Sequence, residues 1–427
     1  MKVLWVHKCN TAVSQYRMWT PAKYLARLPG WSCMTFPQWL TMDRLIQVQT
    51  KHQDWYLPTL AGNADLVIYG WFGSGIEQRV LTGLRRAVNV PSLIELDDDV
   101  FNVPEGHGAH EVFKKVDPAS CWEHRPIPPE AWRTMTMRGW GLQRGPEGQL
   151  IASRMIRGDF HTDFQETLKV VNGLTVSTPF LAEAYRQYVP EKWPIYTLPN
   201  CYDPEVWDPV GRTPERPDPT LVWAGSMAHS RNLEMIVPAL KRVFKEEPRA
   251  KLVILGSDLP VFEKLPKDRL EFAGWCHYDE YPAKLASLGG WVGLAPLEDN
   301  PFNAGKSHIR WMEYALAGMP SVCSPRREYL AWAGASALWA ETSDEWAEKL
   351  LTLLQNQQTR WDFGQEARAA VGRCDIRKHV TTWADALTDA VQKGVSMFGI
   401  PEHISGPDSA NVPIPEGSVG NPNRLAV

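Results

Sequence analysis

Residues 293–322 read GLAPLEDNPFNAGKSHIRWMEYALAGMPSV, and their alternation of apolar runs decides the fold class. Apolar runs predict buried strands at Gly290–Ala295 and Pro320–Cys323, and helical spacing predicts a helix over Lys306–Leu316 between them. Strands that alternate with helices form crossover units, in which neighbouring strands run parallel and helices cover both faces of the sheet. The stretch therefore predicts one unit of a helix-covered parallel sheet.

The same alternation extends over most of the 427 residues and predicts an α/β protein. Further strands are predicted at residues 2–7, 31–36, 65–69, 91–96, 174–177, 195–198, 221–224, 251–255, 270–273 and 335–339. Further helices are predicted at residues 15–27, 42–60, 75–89, 162–171, 179–188, 231–246, 279–287, 343–355, 359–371 and 376–393. Because a single core stops growing at roughly 250–300 residues, we expect two Rossmann-like, doubly wound parallel-sheet domains that face a cleft.

A proline-rich segment divides the two predicted domains. Residues 209–219 read PVGRTPERPDP, and their four prolines are typical of a linker. The N-terminal domain therefore covers residues 1–208, with an irregular insertion at about 100–160, and the C-terminal domain covers residues 220–375. A last helix follows at 376–398, and the Pro-, Gly- and Ser-rich residues 399–427 are predicted to be a disordered tail.

Composition and charge exclude several classes of function. The net charge of −4 leaves no overall basic surface for nucleic acid. The seven cysteines are scattered without a CxxC pair, which favours a reducing compartment and argues against a zinc site. The N-terminal residues MKVLWVHK do not resemble a signal peptide, and no apolar run approaches the roughly 18 residues of a membrane span. We expect a cytoplasmic protein without a bound metal or cofactor.

Gly305-Lys306-Ser307 matches the end of a P-loop, whose full pattern is G-x-x-x-x-G-K-[ST]. The first glycine of that pattern, which lets the backbone curl around a phosphate, falls on Asn300. A P-loop is also followed by a strand that carries a magnesium-binding carboxylate, but the candidate strand SLIELDDD, residues 92–99, lies upstream of the linker. The motif is therefore interpreted as a different phosphate-binding arrangement.

The helix predicted over residues 306–316 is suited to bind a nucleotide. A helix N-terminus carries partial positive charge and unpaired N–H groups, to which Lys306 and Ser307 add a cation and a hydroxyl. Glu313 follows Lys306 by seven residues and is expected on the same face, where it would meet the ribose hydroxyls. The alternative is a solvated glutamate, but Glu313 lies within the apolar run WMEYALAG, where an unpartnered carboxylate is costly.

A second helix N-terminus is predicted within LVWAGSMAHSRNLEMI, residues 221–236. Gly225-Ser226 ends the strand, and Ser230 is a candidate N-cap. Arg231 at the start of a helix is unfavourable for the helix dipole, which suggests an anion nearby; the alternative is an ordinary surface arginine. Together, the two N-termini predict a diphosphate site without an obvious metal.

These segments resemble the glycosyltransferases of the GT-B fold, specifically family 4 (group 1). The resemblance covers most of residues 1–390 and rests on AGS…R after the first strand of the second domain, FAGWC at 272–276, residues 293–322 and PSLIELDDDVFNVP at 91–104. It implies that the second domain binds a nucleotide sugar and that the first domain binds the acceptor. It also implies that the last helix packs back across both domains.

The resemblance also assigns roles to individual residues. Arg231 and Lys306 would hold the diphosphate and act as the catalytic cations. The donor-binding set would comprise Gly225, Ser226, His229, Trp275, Cys276, Asn303, Ala304, Gly305, Ser307 and Glu313. The donor would be a UDP- or GDP-sugar, and the reaction would retain the anomeric configuration, with the donor phosphate as the base for same-face attack.

Two positions depart from the family pattern. The family commonly carries E-x7-E, whose first glutamate contacts the sugar, but here Gly305 stands in that place and only Glu313 remains. The family also commonly has an Arg and a Lys in the first phosphate loop, where this chain has Ser226 and Arg231. Lys306 is a candidate replacement for the lost cation. Both departures concern the sugar contacts and hence the identity of the sugar.

The acceptor side is predicted around Asp97-Asp98-Asp99, which ends a strand at the cleft. These aspartates, with Asp99 as the catalytic candidate, would hold an acceptor hydroxyl or orient His107 or His110; the alternatives are a D-x-D metal motif or a helix cap. His107 or His161 is a candidate base. Arg17 is a candidate contact for an anionic acceptor or the donor phosphate.

The acceptor and the activity both retain alternatives at this stage. Acceptor candidates are a lipid-linked glycan, a protein hydroxyl and a hydroxylated nucleobase, and basic residues at 133, 138, 144, 154 and 157 allow contact with an anionic acceptor or a membrane surface. A GT-B epimerase or phosphorylase is an alternative enzyme. Gly305 in place of an acidic residue also keeps open a catalytically degenerate protein that binds nucleotide sugars.

Overall fold

The computed structural model describes residues 1–7, 12–37, 63–70, 90–107, 110–116, 120, 122–126, 141–144, 150–155, 159–211 and 213–398. Two six-stranded parallel sheets organise these residues, one on each side of the predicted linker. Helices flank both sheets, so the predicted α/β class with two doubly wound domains is confirmed. The helices predicted at 42–60 and 75–89 and the tail at 399–427 lie outside the described residues.

The first sheet has the strand order β2-β1-β3-β4-β8-β9. Its strands are β1 (Lys2–His7), β2 (Ser32–Pro37), β3 (Leu66–Gly70), β4 (Ser92–Leu96), β8 (Gly173–Val176) and β9 (Ile195–Thr197). Strands β3, β4 and β8 are buried along their whole length, as the continuous apolar runs predict for a sheet covered on both faces. The described helices of this half are α1 (Ala12–Ser14), α2 (Thr20–Leu25), α3 (His110–Phe113), α4 (Phe160–Leu168), α5 (Pro179–Arg186) and α6 (Pro204–Trp207). A π-helical turn, Gln15–Trp19, joins α1 to α2.

The second sheet repeats the architecture with the order β12-β11-β10-β13-β14-β15. Its strands are β10 (Thr220–Gly225), β11 (Lys251–Gly256), β12 (Leu270–Gly274), β13 (Val292–Ala295), β14 (Ser321–Cys323) and β15 (Leu338–Trp339). Its helices are α7 (Ser230–Glu234), α8 (Val237–Glu246), α9 (Tyr281–Ser287), α10 (Pro301–Ala304), α11 (Ile309–Leu316), α12 (Arg327–Ala333), α13 (Ser343–Gln355) and α14 (Gln357–Val371). A capping box of Thr342 and Glu345 begins α13, and the Asn356 side chain caps α14.

The insertion is more regular than the sequence predicts. Strands β5 (Trp122–Pro126), β6 (Gly141–Arg144) and β7 (Leu150–Met155) form an antiparallel sheet of their own in the order β5-β7-β6. The predicted irregular insertion at about 100–160 therefore contains a small sheet that the sequence did not predict. Strands of four to six residues held by pairing to one another leave little periodic signal in a Pro- and Gly-rich sequence.

The helix predicted over residues 306–316 is divided in the structure. Asn300 caps the short helix α10, its side chain accepting the backbone N–H of Asn303 at 2.8 Å, and α11 begins only at Ile309. Lys306 and Ser307 therefore lie in the turn between two helices. The predicted shared face of Lys306 and Glu313 on one helix is wrong, because only Glu313 is helical. Helix α10 also occupies the sequence positions that would form the phosphate-binding loop of a P-loop.

The last helix, α15 (Val380–Phe398), returns the chain to the first sheet. Trp383 on α15 is fully buried and its ring lies 5.9 Å from the Trp5 ring of β1. The chain crosses back beside residues 201–203, where Tyr202 forms a parallel β-bridge with Asp375. Two crossings of the chain thus lie side by side between the sheets. None of the described helices is long and apolar enough to cross a membrane.

Candidate functional site

Several of the predicted donor and acceptor residues meet between the two sheets. Gly225 ends β10, residues 296–308 follow β13, and Asp97-Asp98-Asp99 follows β4, so all three segments leave carboxyl ends of parallel strands. Ligands of open parallel sheets bind at these ends. Residues of both domains line one hollow here, including His107 of the first domain and Arg231, Phe302 and Asn303 of the second.

Arg231 reaches from α7 across the cleft. Its Nη2 lies 2.8 Å from Oε1 of Glu298, and its Nη1 donates to the backbone carbonyl of Glu105, in the first domain, at 3.1 Å. Helix α7 begins at Ser230 with His229 at the N-cap position, so the predicted Ser230 cap is wrong by one residue. The guanidinium remains half-exposed, which leaves it accessible to an anion.

Lys306 reaches the same region from the turn between α10 and α11. Its Nζ lies 2.6 Å from Oδ1 of Asp98, a first-domain residue, and 4.5 Å from the ring centre of Phe302. The His107 ring packs edge-on against the same Phe302 ring at 4.8 Å. Arg231 and Lys306 are therefore not on opposite surfaces: both flank the hollow around Phe302.

A buried amide network positions this hollow. Nδ2 of Asn303 donates to Oδ1 of Asn232 at 2.9 Å and to the Glu298 carbonyl at 2.9 Å. The backbone N–H of Glu298 donates to the same Asn232 oxygen at 3.0 Å. The sequence analysis named Asn303 but missed Asn232 and Glu298. The sequence around Asn232, SRNLE, is polar and gives no signal that its amide is buried.

Gly305 and Ser307 are contacted by the first domain. Thr178 Oγ1 donates to the Gly305 carbonyl at 3.2 Å, and Asn200 Nδ2 donates to Ser307 Oγ at 2.7 Å. A Cβ atom at position 305 would lie 2.8 Å from Cδ2 of Leu181 on α5, which is fully buried. A side chain at this position, which is acidic in the family that the sequence resembles, would require the Leu181 side chain to move.

Glu313 lies on α11 of the second domain, where it is buried and contacts the first domain. Its Oε1 accepts the Tyr16 hydroxyl at 2.9 Å, and its Oε2 accepts the Tyr281 hydroxyl at 2.9 Å and Arg310 Nη1 at 2.8 Å. Burial raises the pKa of the Glu313 carboxyl, and the Arg310 charge opposes this shift. The expected ribose contact stays a prediction, because it requires Tyr16, a first-domain residue, to withdraw.

The other predicted donor residues lie around the ends of β10 and β12. His229 is partly buried, and burial together with the charge of Lys306 holds its pKa well below the usual range, so it is neutral at pH 7. A Cβ at Gly225 would lie 2.5 Å from the Trp223 ring, so this strand end accepts only glycine. Trp275 is 67% exposed beside the partly buried Cys276 and packs edge-on against His277, which leaves an indole face open. Ser226 is exposed next to Gly225, and Ala304 ends α10.

Arg17 does not reach the cleft in this structure. It is fully buried, and its Nε and Nη2 pair with both oxygens of Glu95 at 2.6 and 2.8 Å. A further donor, Nη1, bonds to the Leu198 carbonyl, and the guanidinium lies 5.2 Å from the centre of the Trp383 ring. The structure therefore assigns Arg17 a contact between β4 and α15, and nothing supports the predicted contact with a substrate.

The three aspartates after β4 have different surroundings. Asp97 is buried, accepts Asn200 Nδ2 at 3.1 Å, and has its pKa raised to about 6 by burial despite the Arg17 charge. Asp98 is partly exposed and pairs with Lys306. Asp99 is buried and accepts Asn102 Nδ2 at 2.7 Å, which is a turn contact. Asp98 thus faces Lys306, whereas Asp99 stabilises its own loop, against its predicted catalytic role.

The three candidate histidines also separate. His107 lines the hollow, and burial and the charge of Lys306 lower its pKa. His110 Nδ1 is 2.9 Å from the Val103 carbonyl. His161 Nε2 is 2.6 Å from the Phe113 carbonyl, away from the hollow. Only His107, of these three, is placed beside the cations. Among the described residues, no group of three His, Cys, Asp or Glu side chains is arranged to hold a metal ion.

Comparisons with known proteins concern the family and the fold. Residues 231–384 match the family model described as glycosyl transferase-like. No curated protein matches the chain in sequence.

Among solved structures, HepE of Anabaena in complex with UDP-glucose has a TM-score of 0.58 at 12% identity, over 91% of this chain and 100% of that chain. Sucrose-phosphate synthase of Thermosynechococcus elongatus has a TM-score of 0.55 at 12% identity, over 91% and 98%. A glycosyltransferase of Rickettsia africae has a TM-score of 0.55 at 10% identity, over 92% and 98%. At these identities the structural likeness concerns the fold, which extends over both domains.

Proposed function

We propose that the chain is a glycosyltransferase of the GT-B fold, which transfers a sugar from a nucleotide sugar to an acceptor hydroxyl with retention of the anomeric configuration. The observation that carries the proposal is the position of Arg231 and Lys306. The two cations flank one hollow at the carboxyl ends of the strands, where the family resemblance expects the donor diphosphate.

The proposed chemistry is electrostatic stabilisation of the departing diphosphate. Sugar transfer passes through an oxocarbenium-like state in which the leaving group gains negative charge. Arg231 offers a planar set of N–H donors that fits phosphate oxygens, and Lys306 offers a compact ammonium. A preorganised donor of this kind typically supplies about 2.7–4 kcal/mol of transition-state stabilisation. The pKa values of His107 and His229 are lowered, so both rings are neutral at pH 7 and add no positive charge to the cleft.

The proposed donor is a UDP- or GDP-sugar, and no cofactor is included. UDP is the first choice, because the structurally similar HepE binds UDP-glucose. The exposed face of Trp275 at the end of β12 suits a nucleobase, since aromatic faces stack on any base. The acceptor would enter from the first domain past Asp98 and His107. Its class, a glycan, a protein hydroxyl or a nucleobase, is left to the experiment.

The test begins with a thermal-shift screen of UDP, GDP and their common sugar conjugates on the full chain. Mass spectrometry of candidate acceptors with the donor that binds then identifies the transfer product. Next, Arg231→Ala and Lys306→Ala are compared with wild type. Each should lower kcat about 10²–10³-fold, as the loss of one stabilising donor does, while the melting temperature changes little.

Arg327→Ala is the matched control. Arg327 also pairs with a carboxylate of the first domain, Glu183 at 3.1 Å, but it is exposed and lies apart from the hollow. This control should retain wild-type turnover. Unchanged turnover in the Arg231 and Lys306 variants would show that the proposed site is wrong. Binding of a nucleotide sugar without any transfer would indicate a catalytically degenerate binding protein.

A further inference from the structure

First-domain groups contact the donor residues that the proposed function requires. Each of five such residues of the second domain has a hydrogen bond or ion pair from the first domain. The pairs are Glu105 with Arg231, Thr178 with Gly305, Asp98 with Lys306, Asn200 with Ser307 and Tyr16 with Glu313. The first domain thus lies directly on the surface that the donor has to reach.

The hollow that remains does not extend to Lys306. Its lining includes residues of both domains but not Lys306, whose ammonium is paired with Asp98. A nucleotide sugar that reaches Lys306 must therefore separate these interdomain contacts. The first-domain group that competes most directly with the donor is the one with the same charge as the diphosphate.

Asp98 is the group with that charge. Among the five contacts it is the one carboxylate that the first domain brings to a donor cation, at 2.6 Å from Lys306 Nζ. A phosphate oxygen would accept the same ammonium protons. The pair is 26% and 19% exposed, so that its partners can exchange, in contrast to the fully buried pair of Arg17 and Glu95.

We propose that Asp98 is a positioning residue that competes with the donor diphosphate for Lys306 and is released into the acceptor side when the donor binds. The inference rests on the proposed function of the same site. In the structure, Asp98 neutralises the charge of Lys306. When the donor binds, the domains rearrange and the diphosphate replaces Asp98 as the partner of Lys306. The released carboxylate then lies beside His107, where an acceptor hydroxyl enters, so the donor binds before the acceptor.

The experiment measures the Kd of UDP and GDP by calorimetry on the full chain. Asp98→Asn should bind the preferred nucleotide about three- to fivefold more tightly than wild type, the upper part of the range expected for removal of a partly exposed ion-pair competitor. A merely structural role for Asp98 would instead weaken binding. Lys306→Met should bind less tightly, because the cation itself is lost.

A double-mutant cycle separates direct competition from a general charge effect. In the Lys306→Met background, Asp98→Asn should change the Kd by less than about twofold. Glu183→Gln, which removes a first-domain carboxylate from the exposed pair with Arg327, should leave the Kd of wild type unchanged.

Equal tightening by Asp98→Asn with and without Lys306, or equal tightening by Glu183→Gln, would overturn the competition. Nucleotide binding by wild type that Asp98→Asn leaves unchanged or weakens would overturn it as well, with the proposed function intact. Failure of wild type to bind any nucleotide would overturn the proposed function, and this inference with it.

Discussion

Single residues show how burial separates charges that hold the fold from charges available for chemistry. Arg17 and Lys306 were both predicted as anion contacts, yet Arg17 is fully buried against Glu95, whereas Lys306 remains partly exposed. A buried ion pair loses about 3–5 kcal/mol when one partner is removed, because the other is left uncompensated. The sequence alone does not distinguish the two cases, since each cation follows a loop near a predicted helix.

The buried His308 makes the stability of the protein depend on pH. It is buried beside Ser307, stacks on Trp332 at 4.2 Å, and burial lowers its pKa to about 3. An unfolded histidine has a pKa of about 6.5, so below that pH only the unfolded chain gains the proton, and stability falls as the pH falls. Between pH 6.5 and pH 5 this one residue should cost about 2 kcal/mol of the free energy of unfolding.

His308→Phe supplies the comparison, because phenylalanine keeps a ring against Trp332 but does not titrate. Urea denaturation at pH 7 and pH 5 should show that wild type loses about 2 kcal/mol more stability than the variant over this interval. The same loss in both proteins would mean that His308 gains its proton in the folded state. All other titratable groups are present in both proteins and cancel in the difference.

Among the elements, the divided helix after β13 shows why the predicted boundary was wrong. Asn300-Pro301 is itself a helix-start signal, an N-cap followed by proline in the first turn. The sequence analysis weighed Gly305-Lys306-Ser307 against the P-loop pattern and placed a single helix start there. The capping residues Asn300-Pro301 therefore predict the short helix α10, whereas the P-loop-like motif does not.

Helix α15 carries the second prediction. Trp383 is fully buried between α15 and the first sheet, against Trp5 and Arg17. Trp383→Ala should lower the free energy of unfolding by about 3–5 kcal/mol, because a large buried ring leaves a cavity. Trp361→Ala, at a half-exposed tryptophan of α14, is the matched control and should cost much less.

Denaturation followed by circular dichroism checks this pair of variants. A Trp383→Ala protein as stable as the Trp361→Ala control would show that α15 contributes little to the first domain. The contacts of Trp383 indicate that the C-terminal helix α15 stabilises the N-terminal domain, although it follows the second domain in sequence.

For the whole molecule, the contact between Tyr16 and Glu313 links domain arrangement to donor binding. Tyr16 lies in the π-helical turn of the first domain, and its hydroxyl bonds to Glu313 of the second at 2.9 Å. Such π turns occur frequently at functional sites. Tyr16→Phe should lower the free energy of unfolding by about 1–3 kcal/mol, because the buried Glu313 oxygen loses its partner. The same variant should bind UDP more tightly, since that oxygen becomes available to the ribose.

Opposite changes in stability and in nucleotide affinity are the signature of this prediction. Tyr196→Phe, which removes a hydroxyl bonded to Asp389 at 2.7 Å on the first domain, is the control and should leave UDP affinity unchanged. Calorimetry with UDP and urea denaturation measure the two quantities. A parallel loss of stability and of affinity in Tyr16→Phe would show that Tyr16 supports the donor site rather than obstructing it.

The sequence by itself determined the α/β class, the two parallel sheets and the segments that carry the cations, because apolar period and turn residues are local properties. Only the tertiary structure decided which charges meet: Lys306 with Asp98, Arg231 with Glu105 and Glu298, and Arg17 with Glu95 rather than with a ligand. These pairs join residues 67 to 208 positions apart. Their choice depends on how two domains pack, and packing is a property of the folded chain that no local pattern records.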